Sequence, residues 1–247
     1  MDIFSLLVGL GAALGLVQVF LRSQPENRAL NLGAALGVLL MALLGARLAF
    51  VLVYAPVFAA DPSQAWMFWR GGLSWPGALG GGLLAVLLLA LGLRQPLARA
   101  VDAWLLPLLA PLAVMTWLAA WAVGVAYGAS LPADSFWAVR SLPDGEWRWP
   151  LQLSAALLCW LLPGLEERSP LCAGPGQRSA MVLFALGWVQ LIFSVLRFDP
   201  RPLWHGLFWD VWAALALLLV SLLLGVLAFW LPVLRARRVP VSVVEEE

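Results

Sequence analysis

Lysine is absent from this 247-residue chain, histidine occurs once, tyrosine and cysteine twice each, and charged residues of both signs together make up 12%. Each shortage excludes something. Cys159 and Cys172 fit no metal-binding or redox spacing, and Cys159 lies inside an apolar run, where it reads as a small core residue. Fifteen arginines against 14 acidic residues leave a net charge of +1, which points neither to nucleic acid nor to a strongly acidic partner. A soluble domain devotes about 25% of its residues to charge. Half that share cannot clothe a core in water. The chain is instead 63% hydrophobic, with a strongly positive mean hydropathy. Arginine's monopoly of the basic positions reads as compositional bias.

A helix crossing the hydrocarbon core takes about 20 mostly apolar residues. The sequence offers seven such runs, at 3–21, 30–54, 71–93, 103–132, 149–165, 179–196 and 202–234. The second carries Arg47 and the last Asp210. The fourth is long enough for a normal span plus a loop or re-entrant portion. The fifth is short. The core of the last is 209–231. The expected fold is therefore an all-α integral membrane protein of about seven transmembrane helices. Residues 1–234 form a single polytopic membrane domain, and 235–247 a tail.

The arginines give this layout a sidedness. Arg22, Arg28, Arg94, Arg99, Arg168, Arg178, Arg235, Arg237 and Arg238 fall in alternate connections and the tail, against Arg70, Arg140, Arg148, Arg197 and Arg201 on the other side. Nine against five places the first set in the cytoplasm, with the amino terminus outside and the carboxy terminus inside. The first run lacks a basic n-region and a small-residue cleavage site, so it reads as a retained helix and not a signal peptide. The larger outer connections, 55–70 and 128–148, carry Trp66, Trp69, Trp137, Trp147 and Trp149 at their edges, as an interfacial aromatic belt would. No repeat at a fixed period is visible, which weakens any inverted-repeat transporter reading.

Ionisable groups at bilayer depth are costly and mark candidate sites. Arg47, near the outer end of its span, has three available roles: snorkelling outward, pairing with a carboxylate, or holding a lipid phosphate. Asp102 and Asp210 each stand near the start of a span, where a carboxylate caps exposed amides. The block from Trp69 to Gly82 (Trp-Arg-Gly-Gly-Leu-Ser-Trp-Pro-Gly-Ala-Leu-Gly-Gly-Gly) is the most informative segment. Its glycines let backbone approach backbone, or let amides approach an anion. Pro76 suits a first helical turn, with Ser74 as the cap.

Three pieces of sequence then resemble the prolipoprotein diacylglyceryl transferase family: Leu44-Gly45-Ala46-Arg47 running to Tyr54, then Asp61-Pro62, then Trp69-Arg70-Gly71-Gly72-Leu73-Ser74. The similarity continues through Asp102, Pro107, Pro111, Gly124-Val125-Ala126-Tyr127-Gly128 and Trp149-Pro150-Leu151-Gln152-Leu153. It is best over residues 40–155. The resemblance implies a multi-pass protein of the bacterial inner membrane. It also implies transfer of a diacylglyceryl group from phosphatidylglycerol to a lipobox cysteine thiol in lipoprotein biosynthesis. On the matching positions it gives a phospholipid-binding set of Arg47, Tyr54, Arg70, Gly71, Gly72, Ser74, Gln152 and Arg197. No cofactor or metal is implied; the partners are a phosphatidylglycerol-like phospholipid and other membrane proteins.

The departures from the family pattern are as specific as the matches. The family's histidine falls on Pro76. Its Arg-x-Gly-Asn-Phe-x-Asn-Gly-Glu run falls on Trp117 to Val125, so the arginine, both asparagines and the glutamate are gone. Its Arg-Phe-x-x-Glu-Phe-x-Arg falls on Gln190 to Arg197, with only the last arginine kept, and its Tyr-Glu after Gln-Leu becomes Ser154-Ala155. A thiol transfer needs fixed positive charge for the departing phosphate and a base for the proton. Arg47, Arg70, Arg197 and His205 remain, and His205 lies in an outer connection. Two readings stand at this point: a catalytically degenerate relative with a binding or scaffold role, and an active transferase using a rearranged site.

Overall fold

A computed structural model describes residues 3–67, 71–141, 144–168 and 174–236. The charge-poor runs become helices: α1 (Ile3–Arg22), α2 (Arg28–Val53), α4 (Trp75–Gly92), α6 (Leu106–Val123), α7 (Leu151–Arg168), α8 (Gln177–Leu196) and α9 (Trp209–Ala236). Short α3 (Ala55–Ala60) follows α2, and α5 (Leu97–Ala100) leads through a π-helical turn, Val101–Leu105, directly into α6. Among the described residues six helical stretches are long and apolar enough to cross a membrane, and α7 contributes a shorter apolar segment, Leu151–Gly164. At about 1.5 Å per residue that segment falls short of the roughly 30 Å hydrocarbon core. The expected all-α membrane fold is found, with the fifth run the short one.

Two small hairpins add to that expectation. Strands β1 (Val139–Arg140) and β2 (Trp147–Arg148) pair antiparallel beyond α6, and β3 (Leu203–Trp204) pairs with β4 (Leu207–Phe208) between α8 and α9. The second closes through His205 and Gly206, both at positive φ, as a tight two-residue turn requires. The 103–132 run divides where Gly124 takes a left-handed conformation (φ 72°) and stops α6, leaving a loop beyond it.

Helix packing uses small residues in place of a hydrophobic gradient, which lipid cannot supply. Between α1 and α6, Gly11 abuts Pro111 and Met115, and Gly15 abuts Leu108. Between α8 and α9, Gly187 meets Leu218. Between α2 and α4, Gly45 and Gly77 face one another and Gly81 faces the Met41 carbonyl. About half of each spanning window is buried in the helix running into α6 and in α8, against about a fifth in α1, α2, α4 and α9. The first two form the centre, and the other four turn leucines such as Leu40, Leu52, Leu91 and Leu219 to the lipid. The centre is mostly apolar, with Trp104, Leu108, Leu151, Leu162 and Leu183 fully enclosed, and α8 adds the buried Ser179, Gln190 and Ser194.

Candidate functional site

Arg47 is 5% exposed and owes its place to the α2–α4 crossing just beneath it. Its Nε donates to the Ala65 carbonyl (2.8 Å), Nη1 to Gly71 (2.6 Å) and Gly72 (3.2 Å), and Nη2 to Gln64. Four backbone carbonyls of the connection between α2 and α4 thus converge on one guanidinium. The rings of Phe58 and Phe50 stand 5.4 and 5.9 Å from its central carbon. Neither snorkelling nor a carboxylate partner is found for it among the described residues. Gly71 and Gly72 reach the guanidinium because both take left-handed backbone angles (φ 78° and 72°), and a Cβ on Gly72 would strike Phe50 and Arg47 itself.

The other members of this group are held by the same corner. Ser74 occupies the N-cap position of α4 but makes no side-chain capping bond, a correction to its expected role. Its backbone N–H donates instead to the Ala46 carbonyl (3.1 Å), tying the glycine block to α2. Tyr54 ends α2 and packs its ring 4.6 Å from Phe50. Arg70 lies outside the described residues.

Gln152 and Arg197 belong to a different part of the fold. Gln152, buried in the first turn of α7, donates to the Val125 carbonyl (2.9 Å) and so fixes the loop beyond α6. Arg197 follows α8 and binds Asp199 with two nitrogens and Asp210 with a third (3.3 Å). Arg201 binds Asp210 (2.6 Å) and also the Ser194 and Arg197 carbonyls, with its guanidinium 4.0 Å from the Phe208 ring. Two arginines and two aspartates therefore balance in one cluster. Asp210, expected to cap its helix, serves here as the shared counter-ion. Arg201 and Asp199 were not among the sequence candidates; the run Arg197-Phe-Asp-Pro-Arg201, with an arginine two residues to either side of the aspartate, is the signal that marks them.

Asp102 also departs from expectation. It caps no amide of its own segment. Its Oδ2 accepts from the Gly176 N–H (2.7 Å) and its Oδ1 from the Ser179 hydroxyl, so it caps α8 from the π-helical turn. His205 is exposed at the tip of the β3–β4 hairpin, its ring 4.9 Å from that of Trp204. Where α6, β1, β2 and α7 meet, a cavity of about 20 Å³ is lined by Trp121, Tyr127, Arg148 and Gln152 among others. Arg148 in its lining is stacked 4.1 Å over Tyr127 and paired with Asp144 (3.0 Å) and Glu146.

The same residues can be set beside known proteins. A family model described as prolipoprotein diacylglyceryl transferase matches residues 2–231. The chain belongs to that family. A relative from Rhodospirillum rubrum, named phosphatidylglycerol–prolipoprotein diacylglyceryl transferase, is 34% identical over 163 residues. That stretch takes in 63% of this chain and 58% of the relative, a little over half of the relative's length. As a member of the family the protein is a multi-pass protein of the bacterial inner membrane, in keeping with its apolar helices. Several positions where its sequence departs from the family pattern are now structural. Pro76 opens α4, Trp117 is buried with its ring 5.9 Å from that of Phe193, and buried Ser194 accepts from Arg201 through its carbonyl.

Proposed function

We propose that this protein is a catalytically degenerate member of the prolipoprotein diacylglyceryl transferase family, phospholipid-associated, with a binding or scaffold role in the membrane. One observation carries the reading: the inward-turned arginines are spent on the fold itself. Arg47 is taken by four carbonyls, and Arg197 and Arg201 are neutralised by Asp199 and Asp210. A departing glycerol phosphate needs pre-placed positive charge, and losing one such donor typically costs about 2.7–4 kcal/mol of transition-state stabilisation. The sole histidine stands on an exposed hairpin, away from any of these groups' hydrogen bonds. The cavity beside Gln152 has room for about one water, not for a lipid headgroup. Trp117 and Phe193 fill the interior with apolar bulk, the lower-energy arrangement once charge is not needed there.

Phospholipid association in this reading is peripheral to the buried arginines. The sequence candidates Arg70, Gly71, Gly72 and Ser74 would supply its donors. The competing reading is an active transferase with a rearranged site, as the Rhodospirillum relative's name would suggest. Incubation of the purified protein with phosphatidylglycerol and a lipobox peptide separates the two. We expect no thioether-linked diacylglyceryl product while the Rhodospirillum relative, run alongside, forms it. Product from this chain would overturn the degenerate reading.

A further inference from the structure

Four helix ends meet on one face of the bundle: α1 closes at Arg22, α2 opens at Arg28, α4 closes at Gly92 and α5 opens at Leu97. The chain turns between the last two through Arg94, held at a left-handed φ of 54°, and Pro96. This turn brings Gln95 and Arg99 beside the start of α2. Between them lies a groove of about 110 Å³, lined by Asn27, Asn31, Gln95, Arg99, Ala103 and Trp104 among others.

The back of the groove is built rigidly. Trp104, 2% exposed, donates its indole N–H to Asn31 Oδ1 (2.8 Å); the Asn31 amide donates to Ser23 Oγ (3.0 Å); the Ser23 hydroxyl donates to the Val19 carbonyl (2.6 Å). The rim is the opposite. The side chains of Asn27, Gln95 and Arg99 make no hydrogen bond or ion pair among the described residues, although they share one opening. Rim charge is positive. Arg99 stands in it and Arg94 on the adjoining turn, while Arg28 is held by the Ser23 carbonyl and the Phe20 ring. Glu26 is the acid beside Asn27, and Asp102 is turned away to cap α8. Leu30 lines the opening, and Leu93 and Leu97 flank Gln95 and Arg99 by two residues in the chain; all three leucines are exposed.

We propose that this groove holds the headgroup of an anionic phospholipid, with Arg99 and the Asn27 and Gln95 amides on the phosphodiester and the exposed leucines along the acyl chains. A guanidinium with neighbouring neutral donors suits a phosphate ester, and basic pockets among transmembrane helices are where anionic headgroups lodge. A soluble phosphate ester offers the same oxygens but leaves the leucines uncovered. The site uses none of Arg47, Arg197 or Arg201 and lies at the opposite helix ends, so it stands or falls apart from the proposed function.

The test is lipid binding to the purified full-length protein in detergent, read by native mass spectrometry during titration with phosphatidylglycerol, phosphatidylcholine or glycerol phosphate. We expect phosphatidylglycerol to bind in preference to phosphatidylcholine. Arg99→Gln should weaken it about fivefold, the weight of one basic residue at a lipid surface, and Arg99→Lys should restore most of that. Arg140→Gln, which removes one charge from the exposed hairpin at the other end, should leave it unchanged. Equal binding by wild type and Arg99→Gln would overturn the site. Arg99-dependent binding of glycerol phosphate as tight as that of the lipid would overturn the lipid in favour of a soluble ester.

Discussion

Gly45 and Gly77 bring α2 and α4 together backbone to backbone: a Cβ on Gly45 would stand 2.4 Å from the Gly77 carbonyl oxygen, and one on Gly77 would stand 2.2 Å from that of Gly45. Neither neighbour is a flexible side chain, so neither can yield. Gly77→Ala is therefore expected to push the helices apart and lower the thermal midpoint in detergent by several degrees. Overpacking of this kind costs about 1–3 kcal/mol. Gly80→Ala, on the same helix with nothing within 4 Å of the added methyl, is the control and should leave the midpoint unchanged or raised. Equal effects at the two positions would refute the close approach.

Arg47 should matter to the connection between α2 and α4 more than to the helix that carries it. Removing it leaves the Gln64, Ala65, Gly71 and Gly72 carbonyls without their shared donor. Hydrogen bonds to a charged group contribute about 1.5–3 kcal/mol each and do not add fully. We expect Arg47→Ala to lose several kcal/mol and to speed amide exchange across residues 61–72. Arg47→Lys should rescue little, because a point ammonium cannot span four carbonyls as a planar fork does. Exchange in that segment unchanged from wild type would show that the connection holds itself.

How much of this was legible beforehand follows from what each contact leaves in the sequence. Charge-free runs of about 20 residues give away spans directly, and the density of glycine in 71–82 gave away a close helix crossing. Arg47's partners are carbonyls, which every residue carries, so no side-chain pattern announces them. Asp102 and Ser179 are far apart in the chain, and their pairing needs the packed bundle to exist first. The helical core at 209–231 and His205 in the connection before it are legible, but the β3–β4 pairing is not, because two apolar pairs around His205-Gly206 look like the rest of the hydrophobic run.

Asp102 is the residue through which the centre of the bundle grips α8. Its two oxygens satisfy the Gly176 amide and the Ser179 hydroxyl. Loss of an N-cap acceptor costs about 0.5–2 kcal/mol. Asp102→Ala is expected to fall in that range and to loosen amides in the first turn of α8. Ser179→Ala should cost less, because the Gly176 bond survives it. The reverse order would place the weight on the hydroxyl.

Asp144 should make the β1–β2 hairpin acid-sensitive. Its carboxylate is held below the ordinary value of 3.8 by the Ser141 side chain, then by the Glu146 amide, with Arg148 adding to both. A depressed folded-state value stabilises the charged form, so the contribution is complete above about pH 4 and is lost as pH falls through the folded value. Emission from a protein whose other tryptophans are replaced by phenylalanine, leaving Trp147, should shift as the pH is lowered past that point. Asp144→Asn should abolish the shift. A shift that persists in Asp144→Asn would assign it to another acid.

The Arg197, Asp199, Arg201 and Asp210 cluster permits the sharpest energetic test, because removing any one of its four charges leaves the other three unbalanced. Arg201 and Asp210 are both nearly enclosed, with side chains 6% and 11% exposed. Breaking a buried pair by removing one partner typically costs about 3–5 kcal/mol, whereas replacing both with apolar residues of similar volume is often neutral. Arg201→Met alone and Asp210→Leu alone should each destabilise strongly. Asp210 has one oxygen, Oδ1, with no partner, and would lose its shortest ion pair when Arg201 is removed. The double variant should recover much of the loss, and the coupling from the double-mutant cycle should exceed about 1 kcal/mol. Additive single effects would mean that Arg197 and Asp199 carry the balance alone.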